Sequence, residues 1–146
     1  TSRFVTGQEP TQAYAKIERD PEFGTDIFAN CQYQFDGFDM SFYCSTQLAA
    51  RQSMVFHGEK GFIEVSAPFN AEIFDAVTVT LSNQGHNEAQ SWSFNAAQQY
   101  TLQVEAFGQK VAGDPVDLFT LESSKRNQAA IDALFASGES GNWETV

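Results

Sequence analysis

Residues 98–113, QQYTLQVEAFGQKVAG, are the stretch whose reading decides the fold. Tyr100, Val104, Phe107 and Val111 recur at steps of four, three and four, so an α-helix lines them along one face while Gln103, Gln109 and Lys110 point away. Such a face needs a sheet to cover. The residues before it supply sheet: between 11 and 94 the chain runs in short alternating stretches cut by turn residues, with almost no 3.6-residue periodicity.

The clearest of these stretches are 26–35 and 38–47, joined by Asp36-Gly37. Asp-Gly between alternating runs signals a two-residue type I′ hairpin, which needs positive φ at both central positions. With that turn, Phe35 faces Phe38, and Ile27, Ala29, Cys31, Tyr33 and Phe35 share a buried face with Phe38, Met40, Phe42 and Cys44. Asn30, Gln32, Gln34, Asp39, Ser41 and Ser45 fall on the polar face, with Phe28 and Tyr43 as apolar exceptions. Cys31 then sits opposite Phe42 and Cys44 opposite Ala29, so the sulfurs are diagonal neighbours at roughly 7–8 Å, beyond disulfide reach. Two buried free thiols are expected, which suits a reducing, cytoplasmic setting.

Further out, residues 3–10 read as a lead-in segment and 11–19 as a first strand. Residues 52–57 and 62–65 form a second hairpin around Gly58-Glu59-Lys60-Gly61, and 76–82 pairs with 89–94. Residues 120–137 form a second helix, capped by Thr120 or Ser123, ended by Gly138 and striped by Ala130, Ile131, Leu134 and Phe135. The fold class is therefore α+β: an open, mostly antiparallel sheet of about seven strands with two C-terminal helices packed on one face.

A length of 146 residues fits one domain. Fourteen phenylalanines predict an aromatic core. Eight basic against nineteen acidic residues give a charge of −11, which repels nucleic-acid phosphates and anionic lipid surfaces. No apolar run is long enough to cross a membrane and no signal peptide opens the sequence, so a cytoplasmic protein is expected. His57 and His86 have no metal-ligand spacing and no nucleophile pairing, and no glycine-rich loop links a strand to a helix. No metal, nucleotide or catalytic site is expected on this chain.

The helix QYTLQVEAFGQKVAG followed by FTLESSKRNQAAIDALFASGESGNWE resembles the C-terminal end of the glucose-fructose oxidoreductase and inositol dehydrogenase family, Gfo/Idh/MocA. The resemblance rests on Tyr-x-x-Gln-x-Glu-x-Phe in the first helix, Asn-Gln-Ala-x-Ile-Asp-Ala-Leu in the second, and Ser-Gly-x-Trp at 140–143. RQSMVFHGEKGFIEV resembles the family hairpin with its Gly-x-x-Gly turn. The family joins an N-terminal Rossmann domain, which binds NAD or NADP, to a C-terminal open sheet. The resemblance implies that residues 1–146 are the second part only, a substrate and oligomerisation domain without the Rossmann domain. The family's Glu-Lys-Pro motif is not matched, because Gly61 follows Glu59-Lys60, and its Asp-x-x-x-His pair is absent, because Ser53 and Ser82 precede the two histidines by four.

The resemblance further implies a chain that alone binds no cofactor and transfers no hydride, and that partners its own Rossmann domain in the parent. In that parent it walls the pocket of a sugar-like or polyol substrate and builds a homo-oligomer through the outer sheet face. Tyr100 matches the family tyrosine near the domain junction, or packs its ring on the sheet. Gln47 and Arg51 lie in a loop that approaches substrate in relatives, where the Arg51 fork would hold a hydroxyl or carboxylate if it is not simply solvated. The alternative is a stand-alone, non-catalytic binding or assembly module.

Overall fold

In a computed structural model that describes residues 1–74, 76–95 and 97–146, the Asp36-Gly37 turn sets the register that the alternation requires. The order along the chain is α1 (Ser2–Thr6), β1 (Gln12–Arg19), β2 (Asp26–Gln34), β3 (Asp39–Ser45), β4 (Met54–Gly58), β5 (Gly61–Val65), a 3-10 turn (Ala71–Phe74), β6 (Ala76–Asn83), β7 (Ala89–Asn95), α2 (Gln99–Ala112), α3 (Leu121–Ser140) and β8 (Glu144–Thr145). Cys31 lies opposite Phe42 and Ala29 opposite Cys44. The Phe35 amide donates to the Phe38 carbonyl at 2.9 Å, and the two rings stack at 4.5 Å. The turn is not type I′: Gly37 has φ 86°, but Asp36 is not among the positive-φ residues. One positive φ at the second central position follows the type II pattern, which a glycine there satisfies alone.

The strands form two four-stranded antiparallel sheets, β3-β2-β1-β8 and β4-β5-β6-β7, rather than the single sheet of about seven expected. The reason lies at the end of β3. The Thr46 amide and the Ser45 hydroxyl both donate to the Ile27 carbonyl, which holds the chain on β2, and residues 46–53 offer no two-residue turn onto β4. The chain divides into two compact units, residues 1–48 with 119–146 and residues 49–118.

In the first unit β1 pairs with β2, Ala15 opposite Cys31 and Ile17 opposite Ala29. Asp20 turns the connection by accepting from the Glu22 and Phe23 amides at 2.9 Å each. Gln12 and Ala13 also pair with β8, a strand of two residues and thus too short to show alternation. Helix α3 starts where expected, the Thr120 hydroxyl accepting from the Ser123 amide at 3.1 Å, but runs past Gly138 to a left-handed Gly141 at φ 71°. Gly138 lies inside it for a packing reason: a Cβ there would sit 2.6 Å from Ile17 Cδ1.

That close approach also corrects the expected helix face and core. The residues turned to the sheet are Ala130, Ala133, Leu134 and Ser137, whereas Ile131 and Phe135 are 36% and 40% exposed. Small side chains let the helix approach an alanine-lined sheet, and the core is Ala13, Ala15, Ala29, Cys31, Ala133 and Leu134 rather than aromatic. Phe35 is the only buried phenylalanine among the described residues. Cys31 is buried and Cys44 exposed, both as free thiols; Cys31 lies in the core with Ala133 and Leu134 of α3, whereas Cys44 lies outside it. The lead-in residues form α1, pinned by Arg3, which pairs with Glu9 and donates to Asn127 Oδ1 and the Ser123 carbonyl at 3.2 Å each.

In the second unit the register aligns apolar residues across all four strands. Met54, Val65, Val79 and Trp92 make one row, Phe56, Ile63 and Leu81 the next, and Val77 pairs with Phe94. The opposite face carries His57, Glu64, Thr80 and Ser91, the last two with hydroxyls 3.3 Å apart. Gly61 is required at the β5–β6 crossing, since a Cβ would stand 2.1 Å from the Ser82 carbonyl oxygen. Helix α2 forms as read, yet none of its residues is buried: Tyr100, Val104, Phe107 and Val111 are all more than half exposed. The helix face identified in the sequence is present but uncovered.

Candidate functional site

Arg51 and Tyr100 belong to the second unit and Gln47 to the first. In the second unit the structure places polar side chains next to both expected residues in sequence. Gln52 Oε1 accepts from the Phe69 and Asn70 amides at 3.1 Å each, and Gln99 Nε2 donates to Asn70 Oδ1 at 2.9 Å. The Asn70 carbonyl in turn accepts from the Ile73 amide at 3.1 Å. Asn70 therefore ties the segment ahead of β4, the 3-10 turn and the first turn of α2 together, through residues that are sequence neighbours of Arg51 on one side and of Tyr100 on the other.

This tie explains why α2 starts where it does. Its N-cap, Gln98, makes no side-chain cap, so the first turn is held from outside by Gln99 instead. At the other end Gly113 takes φ 92°, and Lys110 Nζ donates to the Val116 carbonyl at 3.1 Å, a cation on the negative end of the helix. Tyr100 is 64% exposed on this helix. Arg51 is likewise on the surface, in the segment just before β4.

In the first unit Gln47 lines an open depression of about 240 Å³ with Glu18, Ile27, Phe28, Ser45 and Leu48. The Gln47 amide donates to Ser45 Oγ at 3.1 Å, which fixes the backbone at the rim. An amide, a carboxylate and an aromatic ring around an open hollow can offer hydrogen bonds and a stacking face to a hydroxyl-bearing molecule. Phe28 and Tyr43, the apolar exceptions of the polar face, stack there with centroids 6.1 Å apart.

His57 and His86 flank the Phe62 ring at 5.9 and 5.3 Å, and no group of three metal-binding side chains is found among the described residues. Burial raises the Cys31 thiol to about 11, with the neighbouring Cys44 adding to the shift, so the thiolate is disfavoured. Tyr33 is raised to about 12 by burial and Cys31, and its hydroxyl donates to the Ala130 carbonyl at 2.9 Å, a structural bond. No described helix is long and apolar enough to cross a membrane.

Sequence reasoning named Gln47, Arg51 and Tyr100 as candidates and did not name Gln52, Asn70, Gln99 or Glu18. The adjacency of Gln52 to Arg51 and the position of Asn70 after Pro68 were the available signals; nothing in the sequence separates Gln99 from the other glutamines of its helix.

Residues 1–64 match the GFO/IDH/MocA C-terminal domain family. The chain is 32% identical over 150 residues to an uncharacterised oxidoreductase, ORF334, of Rhizobium meliloti, a match covering 99% of this chain and 45% of that protein. Its fold resembles that of aldose-aldose oxidoreductase from Caulobacter crescentus complexed with glycerol, with TM-score 0.74 at 16% identity over 99% of this chain and 44% of the other. It also resembles a variant of KijD10, a 3-ketoreductase from Actinomadura kijaniata in complex with TDP-benzene and NADP, with TM-score 0.79 at 17% identity over 93% and 43%. The chain thus spans less than half the length of each of these three proteins.

Proposed function

We propose that the chain is the C-terminal domain of a GFO/IDH/MocA family protein, the substrate-binding and oligomerisation part of a cytoplasmic NAD(P)-dependent dehydrogenase acting on a sugar, polyol or related hydroxyl compound. The observation that carries this reading is the pairing of family with extent. An oxidoreductase relative and two oxidoreductase folds are each matched over 43–45% of their length, and no nucleotide-binding loop occurs in this stretch. The cofactor, NAD or NADP, is then held by residues outside this chain, on the Rossmann domain that partners it, and the hydride moves there. The complexes with glycerol and with a TDP derivative and NADP belong to those relatives; they support a hydroxylated substrate and a nicotinamide cofactor for this one.

Within that reading Gln47, Arg51 and Tyr100 contribute substrate contacts. The Asn70 tie supports the roles of Arg51 and Tyr100, since a contact residue must be held by its surroundings. Arg51 supplies a planar fork of donors, and Tyr100 a ring with a hydroxyl at its tip. The amide-rich outer face of the first sheet, with Asn30, Gln32 and Gln34, suits a wet subunit interface. The test is oxidation of a panel of sugars and polyols by the longer protein with NAD and with NADP. Turnover of at least one is expected, with Arg51→Ala and Tyr100→Phe raising KM more than they lower kcat; no nicotinamide-dependent turnover of any polyhydroxyl compound would count against the assignment.

A further inference from the structure

We propose that the hollow beside Glu18 and Phe28 binds a small hydroxylated organic cation, an amino sugar or amino alcohol held through its ammonium group. This goes beyond the neutral sugar or polyol of the proposed function, and rests on that reading only for Gln47 as a ligand contact. The hollow originates in a break of register. Glu18 pairs with Phe28 but Arg19 with Asp26, so Ile27 is an extra residue on β2 with no partner on β1. Ile27 and Leu48 line the hollow together with Glu18, Phe28 and Ser45, and these last three are direct partners that cross three strands in one row on the polar face of the sheet.

The polar groups of the hollow leave one requirement open. The Ser45 hydroxyl is committed on both sides, donating to the Ile27 carbonyl at 2.7 Å and accepting from the Gln47 amide at 3.1 Å. The Glu18 carboxylate is not. Among the described residues no cationic side chain pairs with it, and Arg19, its neighbour in sequence, is turned to Glu139 at 3.6 Å and to the Gly24 carbonyl at 3.2 Å. An ionised carboxylate only accepts hydrogen bonds, so it selects a ligand that donates, and a positive charge on that donor strengthens the bond. The Phe28 ring makes the same selection, because the negative face of an aromatic ring attracts a cation. Tyr43 supports that ring from the next row, stacked on it with centroids 6.1 Å apart. The Gln47 side chain at the rim offers both a donor and an acceptor, which suits a hydroxyl beside the ammonium. A volume of about 240 Å³ admits a single small ring rather than a larger ligand. The charge of −11 draws cations towards the chain from a distance.

Amide proton–nitrogen correlation spectra of the full 146-residue chain, titrated with glucosamine and with glucose to about 50 mM, test this, since that range resolves millimolar association. The two probes differ by an ammonium in place of one hydroxyl. Glucosamine is expected to move the Phe28, Ser45, Gln47 and Leu48 amides along saturable curves and to bind about 10-fold tighter than glucose, the combined worth of an exposed ion pair and a cation–ring contact. Glu18→Gln, which keeps the size and the hydrogen bonding but not the charge, is expected to abolish that preference, and Phe28→Leu to weaken glucosamine about 3-fold. Should Glu18→Gln fail to fold, salt supplies the second readout on the unaltered chain: raising it from about 0.05 to about 0.5 M weakens glucosamine and leaves glucose unchanged. Equal affinity for the two probes overturns the proposal and leaves Gln47 as a contact for a neutral compound. Absence of binding, shifts confined to residues outside the hollow, or a folded Glu18→Gln chain that keeps the preference also overturn it. Incubation of the longer protein with glucosamine and NAD or NADP separates the two sources of such a ligand: a probe that is oxidised is a substrate, and one that binds without being oxidised is an effector. The titration requires no turnover, so its failure and the failure of the dehydrogenase reading are seen separately.

Discussion

Replacing Ser137 by alanine removes the one side chain that reconciles the close approach of α3 to β1. Ser137 is fully buried; its hydroxyl donates to the Asn142 carbonyl at 2.6 Å and accepts from the Ala15 amide at 3.0 Å. Both partners are backbone groups. The Ala15 amide points towards the β8 side, where the β8 ladder covers only Gln12 and Ala13, so no strand can replace the hydroxyl. An unsatisfied buried amide costs about 1–3 kcal/mol, while the Asn142 carbonyl lies on an exposed residue and recovers most of its loss from water. The expected destabilisation is therefore about 2–3 kcal/mol. Urea unfolding followed by far-UV circular dichroism should show a lower midpoint at unchanged slope, with Ser124→Ala, whose hydroxyl makes an exposed bond to Thr120, as the near-neutral comparison. A Ser137→Ala loss below about 0.5 kcal/mol would refute the argument that this hydroxyl is the amide's sole buried partner.

Other substitutions and titrations probe the remaining elements. Gly61→Ala forces a Cβ against the Ser82 carbonyl and should cost about 3 kcal/mol or more, read as loss of amide-exchange protection along β5 and β6. Thr120→Ala removes the cap of α3 and should lower stability by about 1 kcal/mol in thermal melts. Cys44, exposed, should react with a disulfide reagent at pH 8 well before Cys31; equal rates would contradict the burial of Cys31. Because folding raises Cys31 from 9.0 to about 11, its contribution to stability is full below pH 9 and lost as pH rises through 11, so Cys31→Ala should flatten the alkaline limb of the unfolding midpoint.

The features legible in the sequence were those that local chemistry determines. The Asp36-Gly37 signal and the two-residue alternation around it gave every β2–β3 partner, because a slip of one residue would exchange the two faces. The 3.6-residue period gave α2, and Thr120 the start of α3. Long-range packing was not legible. The alternation of 38–47 and of 52–57 says nothing about whether those strands meet, and residues 46–53 between them contain no two-residue turn that would make them a hairpin. Gly138 resembles a helix terminator until Ile17 is placed against it. Phenylalanine count suggested an aromatic core, whereas alanines on both sides of the helix–sheet contact exclude large rings, leaving Phe4, Phe107 and Phe119 outside. At the site, residue type flagged Arg51, Tyr100 and Gln47, but the Asn70 tie depends on a three-way meeting that no spacing encodes.

The proposed role, the substrate half of a nicotinamide-dependent oxidoreductase, requires the cofactor to be bound outside this chain. Its most direct test is titration with NADH and NADPH by fluorescence, run in parallel on residues 1–146 and on the longer protein that contains them. The account predicts saturable binding by the longer protein and none by the chain alone. Tight binding by the chain alone would contradict it, because a nicotinamide site would then exist where no phosphate-binding loop is found.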